Sequence, residues 1–211
     1  FDPMEKAFHA LGELHLRDFS SRHKQRELVH EYPLSIQMLA RTHVWQEKFN
    51  KNKYLYVVAC KGAPEAMADL CHLNAAQIAE MESQVRRMAS DGLRVLAVAK
   101  ASHQAITKQS TWPATAHDFH FSFLGLIGLA DPIRPSVPPA LQQCYEAGIR
   151  TVMITGDYPV TAQAIARQIG LQPNELTITG AQMQQMSDAE LQQRIGQVNI
   201  FARIMPEQKL R

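Results

Sequence analysis

Apolar and polar positions along the 211-residue chain follow two different rhythms. In the first half, short alternating runs are mixed with helix patterns, with no regular strand–helix–strand succession. Asp2-Pro3-Met4-Glu5 has the form of a helix start, with Asp as cap, Pro at the first helical position and Glu closing the turn. Met4, Ala7, Phe8 and Leu11 then recur at helical spacing and predict one apolar face. Two β-rich runs follow, residues 26–32 and 36–45, and a third strand is predicted over residues 53–60, after the turn-like Asn50-Lys51-Asn52. Pro64 opens a short helix ending near Cys71. Asn74 caps a second, with Ile78, Met81, Val85 and Met88 on one side and Asp91-Gly92 at its end. Residues 93–100 read as another strand, and the polar stretch 103–117 as a loop. This half predicts an antiparallel sheet with helices on it.

From about Phe121 the rhythm becomes regular. A strand over residues 121–129 is followed by a helix over 137–147 closed by Gly148, and a strand over 149–154 by a helix over 159–169 closed by Gly170. A short strand near 176–178, a capping box at Ser187-Asp188-Ala189-Glu190 with its helix, and a strand over 199–203 complete the pattern, and Pro206 opens a last helix. Alternation of this kind predicts a parallel, Rossmann-like sheet with crossover helices. Pro132, Pro135, Pro138 and Pro139 stiffen the segment where the rhythm changes. The fold class is therefore mixed, α+β followed by α/β, with expected domains of residues 1–121 and 122–211.

Composition narrows the function classes. With 22 basic and 20 acidic residues the net charge is +2, which gives no case for nucleic acid or an anionic membrane surface. No apolar run approaches the roughly 20 residues that span a bilayer. The longest candidate, residues 119–130, is interrupted by His120, Ser122 and two glycines and reads as a buried strand. No signal-peptide pattern is present. Cys60, Cys71 and Cys144 have neither metal nor disulfide spacing and read as reduced thiols of a cytosolic protein. The nine histidines, His9, His23, His43 and His103 among them, form no ligand set and read as surface or packing residues, so no metal site is expected. The chain begins at Phe1 without a Met and ends about one turn into a helix pattern, which reads as a piece of a longer protein.

The run Met153-Ile154-Thr155-Gly156-Asp157 joins a strand pattern to a helix pattern. Such a turn offers backbone N–H groups and a hydroxyl at a helix N-terminus, a site suited to phosphate oxygens. Upstream, Lys61-Gly62-Ala63-Pro64-Glu65 puts a lysine at a strand end before a glycine; by spacing alone it is equally a ligand-reaching lysine or an exposed strand end. Taken with Asp131-Pro132-Ile133-Arg134 and Phe201-Ala202-Arg203, these motifs resemble the cytoplasmic ATP-handling part of the type II P-type cation-transporting ATPases, the class that includes the calcium pumps.

That resemblance implies a nucleotide-binding domain over residues 1–121 and part of a haloacid-dehalogenase-like phosphorylation domain after it. It implies ATP, delivered with Mg²⁺, as the bound species. Lys61 and Gly62 would line the base of the ATP pocket, Tyr32 would stack on adenine, Glu5 would lie near its amino group and Arg94 would reach the polyphosphate. Asp131, Arg134 and Arg203 match phosphorylation-domain motifs and would contact the nucleotide from there, and Thr155, Gly156, Asp157 and Lys209 match the catalytic set of the same domain. Lys209 would face the transferred phosphoryl, neutralising charge spread over its oxygens. Asp157 would help to bind nucleotide and metal and is not the nucleophile. The partners implied are ATP and the rest of the same pump, its actuator and transmembrane parts, with this portion on the cytoplasmic side.

Two residues depart from the family pattern: Gln37 stands where the calcium pumps have a second pocket lysine, and Tyr158 where they have an asparagine. The phosphorylated Asp-Lys-Thr-Gly-Thr segment and the Gly-Asp-Gly…Asn-Asp segment are absent from the sequence. The resemblance implies the first upstream of Phe1 and the second downstream of Arg211, so the chain alone is expected to bind ATP without hydrolysing it. The rival readings are a non-catalytic nucleotide sensor and a stand-alone haloacid-dehalogenase-like phosphatase, the latter lacking its Asp-x-Asp motif. A dinucleotide dehydrogenase is weaker still, with no G-x-G-x-x-G present.

Overall fold

A computed structural model of the chain describes residues 3–17, 26–35, 38–47, 54–105, 111–172 and 177–211. Asp2, His23, Gln37 and the turn at residues 50–52 lie outside the described residues. The chain forms two compact units: Phe1–Met81 with Leu96–Ile127, and Glu82–Val95 with Gly128–Arg211.

The first unit is built on a five-stranded sheet in the order β1 (Arg26–Tyr32), β2 (Ala40–Glu47), β3 (Tyr54–Gly62), β4 (Arg94–Ala105) and β5 (Ser122–Leu129). The pairs β1–β2, β2–β3 and β3–β4 are antiparallel. Side chains alternate between faces along each strand. Register therefore groups Ala40, Thr42 and Val44 with Tyr56, Val58 and Cys60 and with Ala97, Ala99 and Ala101 on one face. That face is the core, packed with Met67 and Leu70 of the helix α2 (Pro64–Leu70) and with Phe119 and Phe121. Thr42, buried on it, donates to Cys60 Sγ at 3.0 Å. The opposite face carries Arg41 and His43 beside Lys61, Ala59, Val98 and Lys100.

Strand β1 does not alternate cleanly. Its register shifts between Leu28 and His30, leaving Val29 as the extra residue of a β-bulge. Leu28 pairs with Trp45, whereas Tyr32 pairs with Thr42. Arg26 and Leu28 thus share the face of His43, while His30 and Tyr32 turn to the core face.

Several expectations shift in detail. β2 begins at Ala40. β3 extends through Lys61 and Gly62, because these pair with Arg41 and Ala40. β4 runs on to Ala105, through part of the stretch that reads as a loop, because His103 and Gln104 continue the ladder with Tyr56 and Leu55. The first helix, α1 (Pro3–His15), turns Met4, Glu5, Phe8 and His9 inward and leaves Ala7 and Leu11 exposed. Lys61 explains the rotation: it bonds Glu5 and lies over the Phe8 ring, which fixes the inward side of the helix. The long helix α3 (Ala75–Ser90) ends as expected before Gly92.

The second unit holds α4 (Val137–Glu146), β6 (Met153–Ile154), α5 (Pro159–Ile169), β7 (Thr177–Thr179), α6 (Gly180–Gln185), α7 (Asp188–Ile195) and β8 (Ile200–Ala202). Its three strands are parallel, in the order β6–β8–β7. An antiparallel sheet with helices is thus followed by a parallel, haloacid-dehalogenase-like sheet, as the two rhythms of the sequence predict. Buried Ile200 and Ala202 on one face and Phe201 on the other feed two apolar clusters, with α4 and α5 on one side and α6 and α7 on the other. Gly170 ends α5 at φ 76°, the left-handed conformation that closes helices at little steric cost. Strand β6 is two residues long because the segment before it is spent otherwise: Ile149 is exposed, and the Arg150 guanidinium donates to the carbonyls of Ile195 and Val198. The unexpected helix α6 is announced by a Thr179–Gln182 capping box. The segment Pro206–Leu210 is a 3₁₀ helix.

Candidate nucleotide site

A cavity of about 490 Å³ opens on the sheet face opposite the core of the first unit. Val57, Ala59 and Val98, with Leu124 and Ile127, give it an apolar floor. Arg26, Arg41, Lys61 and Lys100 bring four cationic side chains to it, and His43 an imidazole. Phe8 of α1 supplies an aromatic ring. The volume lies within the ~300–1,000 Å³ of small-molecule sites, and so does the design of an apolar surface with a few placed polar groups.

The charges are held by a network. Lys61 Nζ donates to Glu5 Oε1 at 3.1 Å and lies 5.0 Å from the centroid of the Phe8 ring. Arg41 reaches Glu5 at 3.8 Å and Glu31 at 3.2 Å, and His43 Nε2 lies 3.8 Å from the same Glu31 oxygen. Arg26 donates to Glu47 at 2.7 Å. The hydrogen bond from Lys61 holds the Glu5 carboxyl below its ordinary range, outweighing the opposing effect of burial. Burial pushes the His43 pKa down despite the neighbouring carboxylates, so the imidazole is neutral at pH 7. The cavity therefore keeps its cations while Glu5 and Glu31 offset part of their charge.

In the second unit, Thr155, Gly156 and Asp157 form the turn between β6 and α5. Asp157 N–H donates to Thr155 Oγ1 at 3.1 Å, and that hydroxyl donates to Asp157 Oδ2 at 3.0 Å. Arg94 Nε lies 3.8 Å from Asp157 Oδ1. The neighbouring strand end anchors the turn: Thr155 N–H donates to the Phe201 carbonyl, Arg203 N–H to that of Asp157 and Ile204 N–H to that of Thr155. Arg203 takes φ 53°, uncommon for a residue with a Cβ, and its guanidinium lies 5.8 Å from the centroid of the Tyr158 ring. Tyr158, the departure from the family pattern, is thus a platform for that arginine. The arrangement sits at the carboxyl ends of parallel strands, where open α/β sheets place their ligands.

The model of the P-type ATPase cytoplasmic domain N matches residues 2–136, more than half of the chain. The chain belongs to the P-type cation-transporting ATPases. Among curated relatives, Probable cation-transporting ATPase I of Mycobacterium leprae is 40% identical over 71% of the chain and 10% of its own length. The Calcium-transporting ATPase of Bacillus subtilis is 36% identical over 77% of the chain and 19% of its own length. The Sodium/potassium exporting P-type ATPase cta3 of Schizosaccharomyces pombe is 28% identical over all of it and 21% of its own length. The chain thus spans between a tenth and about a fifth of these pumps. Their names cover calcium, sodium/potassium and cations at large, so the family is broader than the calcium pumps that the motifs suggest.

For a P-type ATPase chain, the site residues group as follows. The structure brings Glu5 and Lys61 together at the cavity. It brings Thr155, Gly156, Asp157, Arg94 and Arg203 together at the β6–α5 turn. Tyr32 lies elsewhere: it is on the core face, its ring packs edge-on against His30 and Phe119, and its hydroxyl donates to the Pro113 carbonyl at 2.8 Å. Gly62 is packed against its own sheet, where an added Cβ would lie 2.5 Å from the Leu39 carbonyl oxygen. Asp131 and Arg134 are exposed in the segment before α4, and Lys209 is exposed in the 3₁₀ helix Pro206–Leu210. Sequence reading missed Phe8, Arg26, Arg41, His43 and Lys100. Arg41 and His43 carried a signal, as polar residues at every second position between Ala40, Thr42 and Val44.

Proposed function

We propose that the chain is the ATP-binding part of a P-type cation pump, with nucleotide held in the cavity beside α1. The observation that carries this reading is the convergence of four cationic side chains, an aromatic ring and an apolar floor on one face of a sheet. That combination suits a planar base attached to a polyphosphate: the apolar floor and ring accept the base, and the cations neutralise phosphate oxygens. Lys61 is the central residue, with Glu5 setting its position. In the parent pump, ATP would phosphorylate an aspartate, and hydrolysis of that acyl phosphate would drive cation movement across a membrane. Thr155, Gly156, Asp157, Arg203 and Lys209 serve that transfer in this proposal, with Arg94, Asp131 and Arg134 as accessory nucleotide contacts. Mg²⁺ comes with the nucleotide. Among the described residues no three His, Cys, Asp or Glu side chains converge on one point, and Asp157 is already engaged by Thr155 and Arg94.

Protection of Lys61 tests the reading. An amine-reactive probe should modify Lys61 in the free chain and be excluded when ATP is present, as read by peptide mass spectrometry. Equal modification with and without saturating ATP would refute the assignment of the cavity.

A further inference from the structure

We infer that Thr161 is a positioning residue: its buried hydroxyl seats the carbonyl of Leu93 and thereby holds the Arg94 guanidinium at the Thr155-Gly156-Asp157 turn. The inference rests on the proposal that Arg94 contacts the nucleotide, and it names what puts Arg94 in place. Strand β4 begins at Arg94, but its ladder with β3 starts only at the Gly62–Ala97 pair, three residues on. Short of that ladder, Gly92, Leu93 and Arg94 run along helix α5 of the second unit. Thr161 Oγ1 donates to the Leu93 carbonyl at 2.9 Å, and Thr161 is 1% exposed. Beside that bond, Arg94 Nε lies 3.8 Å from Asp157 Oδ1. On its other side Gly92 takes φ 81°, and a Cβ there would stand 3.0 Å from Gln168 Nε2 and 4.0 Å from Ile165 Cγ1.

The three contacts are in register. Thr161, Ile165 and Gln168 follow one another at four- and three-residue spacing on one face of α5, and Asp157 stands four residues before them in the turn. Arg94, Leu93 and Gly92 meet that row in reverse order, so the segment runs antiparallel to the helix. The Arg94–Asp157 pair, with side chains 57% and 29% exposed, is too open to water to fix itself. The buried hydrogen bond next to it is the firmer anchor. A threonine in a helix commonly returns its hydroxyl to the carbonyl four residues back. Thr161 directs it out of the helix, to the residue adjoining Arg94. The Leu93 side chain is seated as well, against Gly128, where an added Cβ would lie 2.7 Å from Leu93 Cδ1. With its carbonyl and its side chain both held, Leu93 carries Arg94 to Asp157.

The test compares Thr161→Val, which keeps the shape and removes the hydroxyl, with Thr161→Ser, which retains it; Thr161→Ala takes over if the valine disturbs the fold. NMR follows the backbone amides for the fold and the Arg94 Nε–H resonance for the seat of the guanidinium. Asp157→Asn marks where that resonance lies once the ion pair is lost. In Thr161→Val it should move toward that position with the amide spectrum otherwise native, and in Thr161→Ser it should stay. ATP affinity, read by calorimetry, should fall roughly two- to tenfold in Thr161→Val, the size of one net hydrogen bond. It should fall no further when Thr161→Val is added to Arg94→Ala, because the threonine acts through the arginine. An unmoved Arg94 resonance or an unchanged ATP affinity in Thr161→Val would overturn the inference. So would a loss that persists undiminished in the Arg94→Ala background, the mark of a threonine that only supports the fold. A wild-type chain that binds no ATP sinks the proposed function, while the Arg94 resonance still decides what Thr161 holds in place.

Discussion

Lys61→Met should weaken the first unit by an amount that depends on Glu5. The Lys61–Glu5 bond is 3.1 Å long, and the two side chains are 23% and 24% exposed. Exposed ion pairs contribute ~0.2–1 kcal/mol, and hydrogen bonds to charged groups in drier settings ~1.5–3 kcal/mol. A pair about a quarter exposed falls between, so a coupling energy of about 1 kcal/mol is expected. The cost stays well short of the ~3–5 kcal/mol for stranding a buried charge, because Arg41 remains 3.8 Å from Glu5. A double-mutant cycle with Glu5→Gln measures it by urea unfolding. Both tryptophans, Trp45 and Trp112, lie in the first unit, so their fluorescence reports that unit. Glu5 has a depressed pKa, so its contribution is complete above the ordinary glutamate value of 4.5 and is lost as pH falls through the lowered one. In a carboxyl ¹³C titration, the Glu5 midpoint should lie below the ordinary value and rise in Lys61→Met. Zero coupling at pH 7, or a midpoint that does not move, would refute the argument.

Gly62→Ala should destabilise the first unit by ~1–3 kcal/mol or more, because the new Cβ meets the Leu39 carbonyl and the Ala40 backbone rather than a yielding side chain; wild-type stability in urea would contradict it. Cys60 should resist iodoacetamide at pH 8 in the folded chain. Burial pushes its thiol up to about 11, leaving roughly one thiolate in a thousand, and rapid labelling of Cys60 ahead of unfolding would count against the packing described. Incubated with γ-labelled ATP and Mg²⁺ and quenched in acid, the chain should remain unlabelled. It has no Asp-Lys-Thr-Gly segment and its Asp157 is tied to Thr155 and Arg94; a hydroxylamine-labile label would overturn this.

The fold was legible where one local rule dominated. An opening proline and a closing glycine placed α5 on its observed bounds, a capping box placed the start of α7, and a β-rich run placed β1 on its observed bounds. Misses came where a partner outside the segment decided the outcome. β4 outruns its sequence pattern because β3 offers ladder partners as far as Tyr54. β6 shrinks because Arg150 is drawn to two carbonyls, that of Ile195 at the end of α7 and that of Val198 after it. The inward side of α1 was misread because a lysine on β3, and not a stripe of apolar residues, fixes its rotation.

The candidate site was legible as motifs and illegible as a surface, and one bulge explains the difference. Strict alternation along β1 would put Arg26, Leu28, His30 and Tyr32 on a single face. An aromatic near the cations would then be the natural expectation. The extra residue between Leu28 and His30 reverses the second half of the strand. Arg26 stays on the cavity face, Glu31 turns toward Arg41 and His43, and Tyr32 turns to the core. No residue in Arg26–Tyr32 announces this: the segment has neither glycine nor proline, and its polar and apolar residues fit either phase. What decides the phase is energetic. Unbulged, Glu31 would be driven into an apolar core and Tyr32 out of it, and stranding a carboxylate there costs several kcal/mol. The bulge sacrifices one rung of the ladder to avoid that, and in doing so it leaves α1 as the element that brings an aromatic ring to the cavity.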